Sequence, residues 1–276
     1  MRKTIIPLSG VFIFLVFHSL AIAQFTPEQL AEREKWEEFM RTAKVTAYEQ
    51  MKGREAVTEP WKIELEKDGI THRALWKDCR GIMRGFKENW KWEIAAYRLD
   101  KYLDLNMVPP TVEKRFKGRC GSCQLWLYDC FDLVYKVENK IPVPQNKLNR
   151  WNRAFYLQRA FDNLIANEDR TQRNYQVDKG WCMYLIDHSR TFRTSKKFVR
   201  NLIFDENFRQ SPDFIMKELP RAFVDKLKSL NFEIMKEIVG DYLTKKEIQC
   251  TLIRRDMILA WLDNRIKELG EDQVLY

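Results

Sequence analysis

The stretch Asn167-Glu168-Asp169-Arg170-Thr171-Gln172-Arg173-Asn174 leads through Tyr175 to Ile186 into Asp187-His188-Ser189. An Asn follows Asp169 five positions later, and a second Asp follows that Asn thirteen positions on. Sites that transfer a phosphoryl group present a catalytic carboxylate and two magnesium ligands in this order. The spacing has a physical reason. A short loop holds Asp169 beside the acceptor oxygen and returns Asn174 to the metal. A two-stranded ribbon then brings Asp187 back to the same ion. The turn of that ribbon is Asp178-Lys179-Gly180, between Tyr175-Gln176-Val177 and Trp181-Cys182-Met183-Tyr184-Leu185-Ile186. Asp and Asn are also ordinary turn residues, because they hydrogen-bond their own backbone. The surrounding sequence has to decide.

Upstream of the loop, Ala154, Leu157, Phe161 and Leu164 make a helical stripe that runs directly into it. Thr26-Pro27-Glu28 starts a charged helix that reaches about Arg41, with the proline at its first position. Three strand-like segments follow: Val45 to Glu49, Trp61 to Leu65 and His72 to Lys77, with Asp68-Gly69 as a hairpin turn. Trp90 to Leu105 reads as a helix that Val108-Pro109-Pro110 stops, with Trp90, Ile94 and Tyr97 on one face. Thr111 to Phe116 and Gln124 to Tyr128 form a further strand pair around Gly118-Arg119-Cys120-Gly121. The C-terminal third is helical, with a capping box at Thr244-Lys245-Lys246-Glu247 and a last helix lined by Ile258, Trp261, Leu262, Ile266 and Leu269. The aromatic and aliphatic stripes are core. The order is that of an α+β chain with a sheet-rich first lobe and a helical second lobe, and a cleft between them is where a nucleotide would sit.

A phosphoryl-transfer site also needs a cation on the nucleotide phosphates, a carboxylate to position it and backbone donors nearby. Lys77 ends the third strand, on the face shared by Leu75 and opposite Ala74 and Trp76. Glu93 lies on the helix that follows. A strand-end Lys is usually solvated and a helix Glu is usually a rim residue, but here they occur in the required order ahead of Asp169. Between the first two strands, Met51 to Thr58 contains one glycine, Gly53, which can bring backbone close to phosphate; Ala56 stands where a second would help. A plain hairpin turn explains that segment almost as well.

The chain opens with Arg2 and Lys3, an apolar stretch centred on Val11 to Phe17, and Ala21-Ile22-Ala23, which reads as a secretory signal peptide cut after Ala23. Pro7, Ser9, Gly10, His18 and Ser19 interrupt the run and argue against an anchor helix. The expected divisions are 1–23 signal peptide, 24–43 N-terminal helix, 44–132 first lobe and 133–276 second lobe. After cleavage 46 basic residues remain against 39 acidic ones, and no Lys/Arg tract is concentrated enough for nucleic-acid binding. All six cysteines survive, and an oxidising compartment permits disulfides. Cys120-Gly121-Ser122-Cys123 has no second CxxC, and His72 and His188 lie elsewhere, which argues against zinc. A local disulfide or buried thiols remain.

Thr58-Glu59-Pro60, Ala74-Leu75-Trp76-Lys77, Glu93 to Leu99, Val108-Pro109-Pro110-Thr111-Val112 and Leu185-Ile186-Asp187-His188-Ser189-Arg190 together resemble the bacterial branch of atypical protein-kinase-like proteins. These carry a phosphatidylinositol 3-/4-kinase-like catalytic domain and are related more distantly to HipA-type kinases and to the secreted kinases of the animal Golgi. Leu243-Thr244 through Arg254-Arg255-Asp256 is also similar to that branch, so the likeness spans nearly all of the mature chain. The resemblance implies a two-lobed protein-kinase-like fold, with ATP and Mg²⁺ or Mn²⁺ as cofactors. It implies that Lys77 holds the α/β-phosphates and that Glu93 pairs with it. Asp169 would be the catalytic carboxylate, with Asn174 and Asp187 on the metal. The sequence departs from the family at Thr171, where relatives place His, and at His188-Ser189, where Phe-Gly is commoner. The expected protein is an exported phosphotransferase with no membrane span after cleavage. Its unknown hydroxyl acceptor (protein, sugar, lipid head group or small molecule) would meet the helical lobe and the Arg190 to Asp213 segment. The alternative is a nucleotide-binding pseudokinase or an exported interaction module, and it rests on the thin glycine loop and the scarcity of ATP outside the cytoplasm.

Overall fold

A computed structural model describes residues 25, 27–53, 57–204 and 216–276. The leader with its cleavage site, the Thr26 cap, Ala56 and residues 205–213 of the expected acceptor segment lie outside the described residues. Among the described residues no helix is long and apolar enough to cross a membrane.

Two short helices, α1 (Pro27–Ala31) and α2 (Arg33–Thr42), replace the single expected one. They lead into β1 (Lys44–Gln50), β2 (Trp61–Lys67), β3 (Ile70–Lys77), β4 (Arg80–Met83) and β5 (Phe86–Asn89). Helix α3 (Trp90–Leu103) follows, then β6 (Thr111–Phe116) and β7 (Arg119–Leu125). Strands β1, β2, β3, β7 and β6 form, in that order, one antiparallel sheet. Strand alternation decides what each face does. On β3, Ala74 and Trp76 are fully buried with Ile63, Leu65, Val112 and Cys123 in the first-lobe core. Leu75 and Lys77 point the other way and line a cleft. Trp76 donates its Nε1 hydrogen to the Lys114 carbonyl at 3.0 Å, so its one polar atom is satisfied inside the core. Gly121 on the neighbouring strand lies so close that a Cβ there would collide with the Trp76 ring and the Lys77 carbonyl. Buried Lys114 in turn donates to the Met40 and Ala43 carbonyls at 2.8 and 2.7 Å, a cation on the C-terminal end of α2.

The second strand pair begins earlier than the sequence suggests. Lys117 and Gly118 have φ of 48° and 76° and close a two-residue turn, so pairing starts at once with Phe116 opposite Arg119. Cys120 and Gly121 therefore belong to the strand. Cys120 and Cys123 then sit three residues apart on one extended strand, the first exposed and the second buried. That separates their Cα atoms by about 10 Å and turns the side chains to opposite faces, which rules out a local disulfide. All six cysteines are free. The β4–β5 hairpin was not anticipated at all. Arg84 and Gly85, with φ of 48° and 86°, make its turn, and Ile82, which is 80% exposed, gives it no apolar face to read.

The second lobe contains β8 (Phe131–Asp132), α4 (Leu133–Glu138), α5 (Leu148–Ile165), β9 (Tyr175–Val177) and β10 (Met183–Leu185). Helices α6 (Arg221–Ser229), α7 (Phe232–Val239) and α8 (Lys245–Leu269) complete it. Strands β10, β9 and β8 pair as a small antiparallel sheet. The result is an α+β architecture with a sheet-rich first lobe and a helical second lobe. Helix α3 connects them. Ten of its fourteen residues are buried, and Trp92, Ala95, Ala96, Leu99 and Leu103 pack into the same core as α5 and α8. The capping box at Thr244 and Glu247 forms as expected, and Glu247 also accepts the Trp92 Nε1 hydrogen at 3.1 Å. One carboxylate thus caps α8 and docks it against α3.

Asp100 closes α3 by accepting from the Met107 and Val108 amides at 2.9 and 3.0 Å, while its Oδ2 is buried without a partner. Burial outweighs those bonds and pushes the carboxyl up to about 7. An acid whose pKa rises on folding destabilises the fold progressively as pH climbs from its unfolded value near 4 towards 7, with the full cost above 7. Asp100→Asn should therefore gain stability on the wild type with rising pH, by roughly 2–4 kcal/mol between pH 4 and pH 8. Urea melts at the two pH values measure it. A difference that stays constant would mean that the carboxylate ionises in the fold at no cost.

Candidate active site

The cleft between the lobes has a volume of 810 Å³. Met51, Gly53, Val57, Pro60 and Leu75 line its first-lobe side, and Asp169, Asn174, Ile186 and Asp187 line the other. Lys77 sits at the junction, 5% exposed. Its ammonium donates to Glu93 Oε1 at 2.6 Å and to Asp187 Oδ1 at 2.8 Å. Burial alone would push this Lys down, but the Asp187 and Glu93 carboxylates more than offset it and hold it charged. Burial likewise raises the Asp187 carboxyl, and Lys77 outweighs burial and keeps it low. The other Glu93 oxygen accepts the His188 amide at 2.9 Å, so both oxygens of this buried carboxylate are satisfied.

The loop carrying Asp169 is built from backbone chemistry. Helix α5 ends at Ala166, whose φ of 52° reverses the chain. Asn167 is fully buried. It donates to Asp162 Oδ1 at 2.9 Å and accepts the Asp169 amide at 3.1 Å. Asn174 then reaches back and donates Nδ2 to the Asp169 carbonyl at 2.8 Å, which leaves its Oδ1 available. The Ile186 amide donates to the Asn174 carbonyl at 3.1 Å, and the β9–β10 ribbon so delivers Asp187 beside the loop. Asp187 itself has φ of 60°, a left-handed conformation that costs a non-glycine residue energy and aims its carboxylate.

Arg170 organises this loop and has no counterpart among the sequence-selected residues. Its side chain is only 1% exposed and makes a two-pronged pair with Asp162 at 2.9 and 3.1 Å. It donates to the Asn174 and Ile186 carbonyls, each at 2.8 Å. It also lies 2.9 Å from His188 Nε2; burial and the Arg170 charge push that imidazole well below its usual range and keep it neutral. Glu88 and Arg190 were also missed. Arg190 pairs with Glu88 through Nε and with Asp169 Oδ2 at 3.2 Å through a terminal nitrogen. Burial raises the Asp169 carboxyl, Arg190 opposes that, and the Asp187 and Glu88 charges add to it. Arg190 had one usable signal, its position three residues after Asp187. Glu88, on a hairpin without alternation, had none.

The six sequence-selected residues thus line or adjoin one cleft. Gly53, with φ of 133°, holds a conformation that only glycine adopts freely, and its carbonyl lies 3.5 Å from an Arg84 nitrogen. Asp187 and Asn174 offer hard oxygen donors of the kind that bind Mg²⁺ together with substrate phosphates and water. Among the described residues no group of three or more His, Cys, Asp or Glu would hold a metal unaided. Two such donors fit a cation whose remaining ligands come from elsewhere.

No family model and no curated protein matches this sequence. Among solved structures, hydra Fam20 with sugar superposes with a TM-score of 0.62, covering 89% of this chain and 92% of that chain at 15% identity. The fold is kinase-like. At that identity it is the two-lobed architecture that is shared.

Proposed function

We propose that this protein is an ATP- and divalent-cation-dependent phosphotransferase acting on a hydroxyl acceptor, with lobes 44–132 and 133–276. The observation that carries it is the Lys77 ammonium, buried against Glu93 and in contact with the partly exposed Asp187, on the wall of a cleft that Asp169 and Asn174 also line. Phosphoryl transfer asks the protein mainly for position and charge. Lys77 would hold the α/β-phosphates, oriented by Glu93, with Gly53 bringing backbone near them. Asp187 and Asn174 would hold Mg²⁺ or Mn²⁺, which when bound neutralises charge on the transferred group. Asp169 would orient the acceptor hydroxyl and take its proton. The resemblance at Leu185 to Arg190 supports a place in the bacterial atypical branch, and the leader supports export. Hydra Fam20 with sugar makes sugar hydroxyls the first acceptors to try.

Nucleotide binding should require the cation, and Asp187→Ala should remove that requirement along with most of the affinity. In a thermal-shift assay, ATP at 100 times its dissociation constant stabilises by about 2.7 kcal/mol. The expected result is a shift with ATP and Mg²⁺ together, little with either alone, and none in Asp187→Ala. No shift in the wild type would overturn the reading. The single glycine of the β1–β2 loop favours one other reading, nucleotide binding without transfer. A cation-dependent shift with no turnover on any acceptor in an envelope extract would support it.

A further inference from the structure

Asp169 is paired with a cation that the catalytic loop does not supply. The next positions after it carry Arg170, Thr171 and Gln172. Thr171 and Gln172 are uncharged, and Arg170 is committed to Asp162 and two carbonyls. Of the cations lining the cleft besides Arg190, Lys77 is committed to Glu93 and Asp187, Arg173 faces Asp132 at 3.8 Å, and Lys52 belongs to the β1–β2 loop of the first lobe. The cation beside Asp169 is Arg190, which arrives from the segment beyond Asp187. Three groups fix its guanidinium. Glu88 takes Nε, Asp169 lies 3.2 Å from a terminal nitrogen, and the Phe86 ring lies 4.4 Å from its carbon. Glu88 and Phe86 both belong to β5, on the hairpin between Lys77 and Glu93. Glu88 is 1% exposed, and its second oxygen has no hydrogen-bond partner, so a costly buried carboxylate is retained where its visible use is to hold Arg190.

We propose that Arg190 is an arginine finger supplied by the chain itself, which binds the phosphoryl group in transit and is held at its station by Glu88 and Phe86. The proposal rests on the phosphotransferase reading above. In that reaction the acceptor oxygen forms a bond to the γ-phosphorus. The bond from that phosphorus to the β,γ-bridging oxygen breaks, its electron pair leaves with ADP, and the acceptor proton passes to Asp169. The phosphorus must therefore pass within reach of Asp169, which places its equatorial oxygens within reach of Arg190. Negative charge spreads over those oxygens in the transition state, and a planar fork of donors suits them better than a point charge. The approaching phosphoryl group draws the terminal nitrogens of Arg190 from the Asp169 oxygen that they now face, with or without an acceptor, and leaves that oxygen open to the acceptor hydroxyl.

The test compares a ground state with a transition-state mimic, so it needs no acceptor. Wild type should bind Mg²⁺, ADP and aluminium fluoride more tightly than Mg²⁺ with a non-hydrolysable ATP analogue. Removing Arg190 alone would strand buried Glu88, so the decisive variant is the double Glu88→Gln/Arg190→Gln. It should keep analogue affinity within about threefold and lose at least about 10²-fold for the fluoride complex, since such arginines contribute about 10³–10⁵ to rate. Arg190→Lys should lie between, keeping the charge but not the fork. Equal losses for both ligands, or an undiminished preference for the fluoride complex, would overturn the finger while leaving the phosphotransferase reading intact. Wild type that binds the analogue but shows no preference for the fluoride complex overturns the finger too. Failure of wild type to bind either ligand overturns both.

Discussion

Asp169→Asn should leave ATP and Mg²⁺ affinity nearly unchanged while transfer falls about 10²–10⁴-fold, the usual contribution of a positioned proton acceptor. The substitution keeps the size of the side chain and one acceptor oxygen. Lys77, Glu93, Asp187 and the Asn174 bond to the Asp169 carbonyl depend on other groups or on backbone, so nucleotide and metal binding should survive. What is lost is the negative charge that orients the hydroxyl and receives its proton. Stability should change little, because the carboxylate is partly exposed and its ion-pair partner Arg190 keeps Glu88. If Asp169 were only a turn residue, the outcome would reverse: a lower melting temperature and full turnover per folded molecule. Titration calorimetry, single-turnover rates and melting on the same preparation separate the two. Full turnover in the folded fraction would falsify the catalytic assignment.

One residue further on, Arg170→Ala should be the most destabilising single change in the loop, costing about 3–5 kcal/mol. Removing the guanidinium leaves Asp162 charged and fully buried, with only the Gln158 and Asn167 amides donating to it. The Asn174 and Ile186 carbonyls lose a donor at the same time. Arg170→Lys should recover little, because one ammonium cannot reproduce a two-pronged bond together with two carbonyl contacts. Urea unfolding gives the number, with the slope unchanged if the variant still unfolds in two states. A loss below about 1 kcal/mol would mean that the buried pair is held up by groups other than the ones named here. Any activity lost should return with stabilising osmolytes, unlike that of Asp169→Asn.

Neighbours 169 and 170 show what reading a chain can and cannot resolve. The order Asp169, Asn174, Asp187 is local, because a loop and a ribbon of fixed length connect these residues, and such spacing is written in sequence. Hydrophobic alternation in β2 and β3 was equally legible, and it set Lys77 on the face opposite Trp76. Less of β4, β5 and β7 could be read. Their limits depend on the left-handed turns at Arg84-Gly85 and Lys117-Gly118, where the first residue of each is an ordinary Arg or Lys. A disulfide at Cys120 and Cys123 stayed open for the same reason, since only the start of β7 shows that the two thiols diverge.

Periodicity and short-range spacing are enough to give the α+β order, the sheet-rich and helical lobes, and the chain order of the charged candidates. Tertiary structure decided their partners. The Lys77 ammonium meets Asp187 across 110 positions, and Arg190 meets Glu88 across 102. No periodicity carries information over such distances, and a charged residue due for burial looks in sequence like one due for solvent. The two are told apart only when folding removes water from both members of a pair. A buried charge must then find its counter-charge or neutralise, and that requirement fixes Lys77 against Glu93 and Arg190 against Glu88.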